Sequence, residues 1–298
     1  MRTFGLRYVA KSGALLFVFF CSVTNAEVSV IDDSGRRVTL SAPANRIVSL
    51  APHATELLFV AGAGDKVIGV SSGSDYPGQA SQLPSTGNSA RLDIERITLL
   101  KPDLIIAWTS GNNPRQIAQL RQQGYAVFES EPRRFEDIAT TLERLATLTG
   151  SISGGNAAAD FRRSLALLGD RYQSRTPVTV FYQIWPSPLM TLNGQHLVSQ
   201  ALNLCGATNV FGSLPQLAPT VSRESVASAN PNAILISDES GQIERWKNLT
   251  SLKAVRQQHV FKVNGKLLNR PTPRMLAAIS DLCEQIDAVR KHKQAGSP

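Results

Sequence analysis

Residues 95–108 read ERITLLKPDLIIAW, and the parsing of this stretch decides the fold. Glu95 opens a segment whose apolar residues Ile97, Leu99 and Leu100 fall at helical spacing, and Pro102 and Asp103 end it. Leu104 to Ala107 is then a continuous apolar run, the pattern of a parallel strand covered on both faces. Trp108 stands where that strand ends. In open α/β sheets ligands collect outside the carboxyl ends of the strands, so the indole is predicted at a binding edge. Residues 224–237, ESVASANPNAILIS, repeat the glutamate, the proline seven residues on and the apolar run behind it. A chain that builds this unit twice is expected to build two similar lobes.

Working outward, the chain alternates strand and helix patterns on both sides of the repeat. Residues 27–40 predict a hairpin around Asp33, Ser34 and Gly35 that covers a sheet edge. Ile47 to Leu50 predicts a strand, Ala51-Pro52-His53 a turn, and a helix follows from Ala54 or Thr55 to Gly62 or Gly64. Further strands are expected at Val67–Val70 and Tyr125–Phe128, and helices at Pro114–Gly124 and Glu136–Thr149. A polar loop, Ser71 to Thr86, is long enough to form a functional rim. Ala157, Phe161, Leu165, Leu168 and Tyr172 recur at helical spacing, so residues 154–175 read as a stiff strut, with a flexible linker as the alternative. The second series follows: a strand at Val178–Ile184, a helix at Gly194–Leu204, the repeated stretch, a strand at Val260–Val263 and a closing helix at Pro273–Lys291. The expected class is α/β, with a lobe at 27–153 and another at 176–298 joined by a long rigid helix.

The amino terminus has its own signature. Arg2, Arg7 and Lys11 precede an apolar run from Gly13 to Phe20, and small residues stand at Thr24 and Ala26. That reads as a secretory leader, residues 1–26, with cleavage expected after Ala26 and an uncleaved anchor as the alternative; the apolar run is short of the roughly 20 residues that span a bilayer, and Cys21, which could suggest a lipoprotein, follows Phe20 where a small residue would be expected. Removing it from 298 residues leaves 272 and lowers the formal charge from +8 to +5. The remaining chain is mildly basic, without the Lys/Arg clusters and interleaved aromatics of nucleic-acid binders. Two cysteines remain, Cys205 and Cys283, which in an oxidising compartment pair most simply, two buried free thiols being the alternative.

There is no Walker loop, HExxH or GxGxxG, and His53, His196, His259 and His292 do not fall at metal-ligand spacings. His53 reads as a solvent-exposed loop histidine, or alternatively as one within reach of a bound metal centre. Trp108 and Trp185 each follow a strand, one per lobe, and facing each other across a cleft they would grip a large apolar ring, the alternative being that each packs within its own lobe. Tyr76 lies in the rim loop, and Asn269, Arg270 and Arg274 sit in a Pro-punctuated loop where a guanidinium can meet an amide or acidic group. Glu95 and Glu224 each start a helix, which the macrodipole alone favours, but one per lobe they also form a matched acidic pair for a partner with paired arginines.

The pieces TELLFVAG (55–62), GVSSGSDYPGQA (69–80), LKPDLIIAW (100–108), GNNPRQ (111–116), LCGATNVF (204–211), VSRE (221–224) and the segment from Pro273 to Cys283 together resemble the class III periplasmic substrate-binding proteins of ABC importers. The resemblance runs over nearly all of the chain from about Arg46. SDYP with PDLIIAW is similar to the corrinoid branch of that family, whereas KPDLI is shared with siderophore and haem binders. The resemblance implies a monomer that captures cobalamin or a related corrinoid between its lobes in the periplasm and delivers it to an inner-membrane permease, with no cofactor of its own. It implies that Trp108 stacks on the ligand, that Arg270 is a cleft arginine, that Cys205 and Cys283 form a disulfide, and that Glu95 and Glu224 dock on permease arginines. Tyr76, Ile184, Trp185, Met190 and Asn269 complete the expected ligand-binding set. The chain departs from the pattern where Gly73 replaces a rim tyrosine, residues 87–90 lack a tryptophan, Ala218 replaces another and Lys266 replaces a cleft aspartate; Trp185 and Met190 stand near positions that carry aromatics. A haem or ferric siderophore, met by His53 or Tyr76, is the alternative ligand, and an exported enzyme acting on such a ligand is the third reading.

Overall fold

The computed structural model describes residues 27–88, 90–237 and 243–295; the leader, its expected cleavage after Ala26 and Cys21 lie outside them. Two four-stranded parallel sheets carry the chain. The first has the order Val67–Val70, Ile47–Ser49, Leu104–Trp108, Val127–Ser130, and the second Ala207–Asn209, Val178–Gln183, Ala233–Ile236, Val260–Lys262. In each, the first strand in the chain lies second in the sheet, and the strand of the repeated stretch sits beside it in third place. Those third strands are buried on both faces, as their unbroken apolar runs require.

The repeat holds in detail. Helices Ile94–Leu100 and Arg223–Ala229 have the same length, with Asp93 and Ser222 as N-caps whose side chains accept the N–H of Arg96 and of Ser225. Each helix ends on a left-handed residue, Lys101 (φ 48°) and Asn230 (φ 39°), and a proline follows that cannot continue the helix. Glu95 and Glu224 therefore occupy the same place in two copies of one helix–turn–strand unit, and both are exposed.

The edges are closed by other elements. Antiparallel strands Val28–Ile31 and Arg37–Leu40 form the predicted hairpin, and its turn carboxylates bind the edge strand of the first sheet: Asp32 Oδ2 accepts the Glu129 N–H at 3.1 Å and Asp33 Oδ2 the Glu131 N–H at 2.6 Å. Arg144, on helix Phe135–Thr149, fastens the hairpin by donating to Asp33 Oδ1 at 2.6 Å. The helix Ser153–Tyr172 follows at once and packs along Phe135–Thr149; the helices approach so closely at Gly154 that a Cβ there would lie 2.4 Å from the Leu142 carbonyl oxygen. The closing helix Met275–Ala295 lies against the long helix and against Leu197–Leu204, where Cys283 and Cys205 form a disulfide. No helix among the described residues is long and apolar enough to cross a membrane.

Several boundaries differ from those predicted. The helix expected from Ala54 or Thr55 begins at Pro52, because a proline fits the first helical position, so His53 is helical and not in a turn. The edge strand of the first sheet runs two residues later than expected, Val127–Ser130. Strand Ala207–Asn209 was not predicted, since Ala-Thr-Asn on a sheet edge has neither an apolar run nor alternation.

Candidate ligand-binding cleft

Trp108 closes strand Leu104–Trp108 at the carboxyl edge of the first sheet, half-buried. The loop after it is built around the indole. Asn112 Oδ1 accepts the Trp108 N–H at 2.7 Å, and Asn112 Nδ2 donates to the Leu50 carbonyl at 3.1 Å, tying the loop to the neighbouring strand end. Gly111 passes so close to the ring that a Cβ there would lie 1.9 Å from Trp108 Cε3, which is why a side chain is excluded at that position. Behind the indole stands His53, its ring edge-on at 5.5 Å and 81°.

His53 is not the exposed loop residue expected: it is 4 % accessible, because the helix that starts at Pro52 turns it inward. Burial first and the Arg270 charge second lower its pKa to about 4, so the imidazole is neutral at pH 7. Its Nε2 has no hydrogen-bond partner among the described residues. Those residues also contain no group of three or more His, Cys, Asp or Glu side chains placed to hold a metal ion.

A cavity of about 700 Å³ lies between the lobes, within the range of sites for a sizeable small molecule. The first lobe supplies Trp108, Ser110 and the segment Glu131–Arg134; the second supplies Gly194–Leu197, Gln200, Pro215, Leu217, Leu268, Asn269 and Pro271. Glu131 to Arg134 follow strand Val127–Ser130 as directly as Ser110 follows Trp108, so the strand-end rule that singled out Trp108 applied to them equally. His196 caps helix Leu197–Leu204 by accepting the Val198 N–H on Nδ1 at 3.1 Å, and burial lowers its pKa to about 4. At pH 7 it therefore presents a neutral ring with the proton on Nε2. Gln200 reaches across from the second lobe and donates to the Arg133 carbonyl at 2.8 Å.

On the other side the lobes are joined by a charge cluster absent from the sequence reading. Glu56, 1 % accessible on helix Pro52–Val60, accepts from Arg270 Nη1 at 2.6 Å, Thr272 Oγ1 at 2.9 Å and Arg274 Nη1 at 3.0 Å. Arg270 Nη1 also donates to Asp75 Oδ1 at 2.7 Å, a hydrogen bond that holds the Asp75 carboxyl below its usual range. Arg274 lies over the Tyr76 ring, 3.6 Å from its centroid. The one signal in the sequence was a lone carboxylate in the helix PHATELLFV (52–60), which is mostly apolar.

The predicted ligand set is thus divided. Trp108 and Asn269 line the cavity, Asn269 held by accepting from Tyr182 Oη at 3.3 Å and donating to Ser237 Oγ at 2.9 Å. Arg270 and Tyr76 belong to the inter-lobe cluster and are not among the cavity-lining residues. Trp185 and Met190 pair across a small antiparallel hairpin just after Ile184, with the Trp185 indole largely exposed and its Nε1 donating to the Ser187 carbonyl at 3.1 Å; these three also stand outside the lining.

Residues 47–267 match the periplasmic binding protein family. The chain belongs to that family. It is 39 % identical over 256 residues to the vitamin B12-binding protein of Vibrio parahaemolyticus, covering 84 % of this chain and 92 % of the relative, and 41 % identical over 254 residues to that of Vibrio cholerae, covering 84 % and 91 %. Among solved structures, the periplasmic vitamin B12 binding protein BtuF of Vibrio cholerae superposes with a TM-score of 0.78 at 40 % identity over 84 % of this chain and 99 % of that one. The periplasmic heme-binding protein RhuT from Roseiflexus sp. RS-1, with a TM-score of 0.72 at 23 % identity over 83 % and 99 %, shares the fold. The B12-named relatives of this periplasmic binding protein are binding proteins and not enzymes.

Proposed function

We propose that this chain captures cobalamin or a related corrinoid between its lobes in the periplasm and delivers it to the permease of an inner-membrane ABC importer. The observation that carries the reading is the cavity of about 700 Å³ walled by Trp108, in a chain about 40 % identical over most of its length to vitamin B12-binding proteins. An indole held by Gly111, Asn112 and His53 offers a flat apolar face to a macrocycle, and Asn269 offers an amide to the carboxamides at its rim. Ile184, Trp185 and Met190 form the outer lip in this reading, while Tyr76 and Arg270 act on the cleft by fixing the rim loop to the second lobe. Export by a leader cleaved after Ala26, a lobe division at residues 153 and 176, and a monomeric state complete the proposal.

Titration calorimetry of the mature chain with cyanocobalamin is expected to show binding at micromolar or lower dissociation constant. Trp108→Ala should weaken it by about tenfold or more. Absence of heat and of any change in the corrinoid absorption bands with the wild-type chain would rule the reading out.

A further inference from the structure

Cobalamin carries a single phosphodiester, in the loop that links the corrin ring to its nucleotide base; the rest of its periphery is carboxamide and methyl. A cation at the cleft wall that is free to pair would favour the complete molecule over cobinamide, which lacks that loop. Among the described residues three charged side chains line the cavity: Glu131, Arg133 and Arg134. Glu131 is engaged by Ser110, whose N–H and Oγ donate to its carboxylate at 2.9 and 3.0 Å. Arg134 is engaged by Asp137, to which its Nε and Nη2 donate at 3.2 and 2.9 Å. Arg270, the cation expected in the cleft, is spent on Glu56 and Asp75. Among the described residues the Arg133 guanidinium makes a 3.9 Å approach to Glu131 and no hydrogen bond, with its side chain 73 % accessible.

The Arg133 backbone is nevertheless held on both sides. Its N–H donates to Asp137 Oδ2 at 3.1 Å, and its carbonyl accepts from Gln200 of the opposite lobe at 2.8 Å. The root of the side chain is thereby fixed at the junction of the lobes while its charge, near Glu131, stays largely exposed at the cavity wall. We propose that Arg133 is a specificity-determining residue that pairs with the phosphodiester of a nucleotide-bearing corrinoid. The inference rests on the corrinoid reading above and deepens it. The neighbouring His196 is neutral at pH 7 and does not compete for the anion.

The test compares the affinity ratio for cyanocobalamin over dicyanocobinamide in the wild-type chain, Arg133→Ala and Arg133→Lys, by calorimetry at low and high salt. Arg133→Ala is expected to lower the ratio by about threefold to tenfold, with the loss on the cobalamin side and shrinking as salt rises. Arg133→Lys should restore part of it. Unchanged melting temperatures would separate the effect from misfolding. Corrinoid binding by the wild type with a ratio unmoved in Arg133→Ala overturns the Arg133 assignment alone; failure of the wild type to bind either corrinoid overturns it together with the corrinoid reading.

Discussion

His53 shows how a residue's place in an element sets its chemistry. One residue into a helix that starts at Pro52, it is turned inward against Trp108, and burial with the nearby Arg270 charge lowers its pKa to about 4. In the unfolded chain the same ring titrates near 6.5. Between those values the unfolded state binds more protons than the folded one, so the neutral ring's contribution is intact above pH 6.5 and is lost as pH falls towards 4. A shift of that size corresponds to a loss on the order of 3 kcal/mol. Urea unfolding at pH 7 and pH 4.5 should therefore show a fall in stability that is smaller in His53→Gln; equal falls in the two proteins would contradict the assignment. The neutral ring also suits the back of an apolar wall, where a charge would need a partner.

At the scale of elements, the pattern of apolar residues carried most of the architecture. Strands such as Leu104–Trp108 and Ala233–Ile236 were legible because a strand buried on both faces has no polar interruption, and the long helix because its apolar residues recur every turn. Strand Ala207–Asn209 and the Trp185–Met190 hairpin were not legible, being too short to have a period. The site was half legible. Trp108 could be placed from its strand, but Glu131–Arg134 lie in the loop of a strand whose boundary was misjudged by two residues, and Glu56 meets partners more than 200 positions away, which no local pattern encodes. The disulfide links two elements that local pattern also leaves unconnected. It closes 78 residues between the end of helix Leu197–Leu204 and the closing helix, and in the chain-entropy account such a loop is worth about 4 kcal/mol. Replacing Cys205 and Cys283 together by Ala should lower unfolding stability by that order, read as a fall in the urea midpoint; an unchanged midpoint would mean the bridge does not constrain the chain.

For the whole molecule, two copies of one helix–turn–strand unit present Glu95 and Glu224 at equivalent exposed positions, one per lobe. If these carboxylates meet permease arginines, reversing both charges should abolish vitamin-dependent transport in vesicles while the corrinoid affinity of the isolated protein stays the same. A loss of ligand affinity in Glu95→Arg/Glu224→Arg would place them in the wrong role. The lobes themselves are held by more than the long helix, since Gln200 joins them on one side of the cavity and the Glu56 cluster on the other. Closure around a ligand is then a small adjustment of a cleft already bridged, not the swing of two free bodies.

That cluster has a further consequence for how the chain is made. Glu56 belongs to the first helix among the described residues, yet Arg270, Thr272 and Arg274 follow it by 214, 216 and 218 positions. Burying that carboxylate unpaired at the lobe junction is strongly disfavoured, so its burial waits for those cations. The cluster that bridges the lobes can therefore close only when this late part of the chain has joined the first lobe, so the cleft takes its final shape after both lobes are in place.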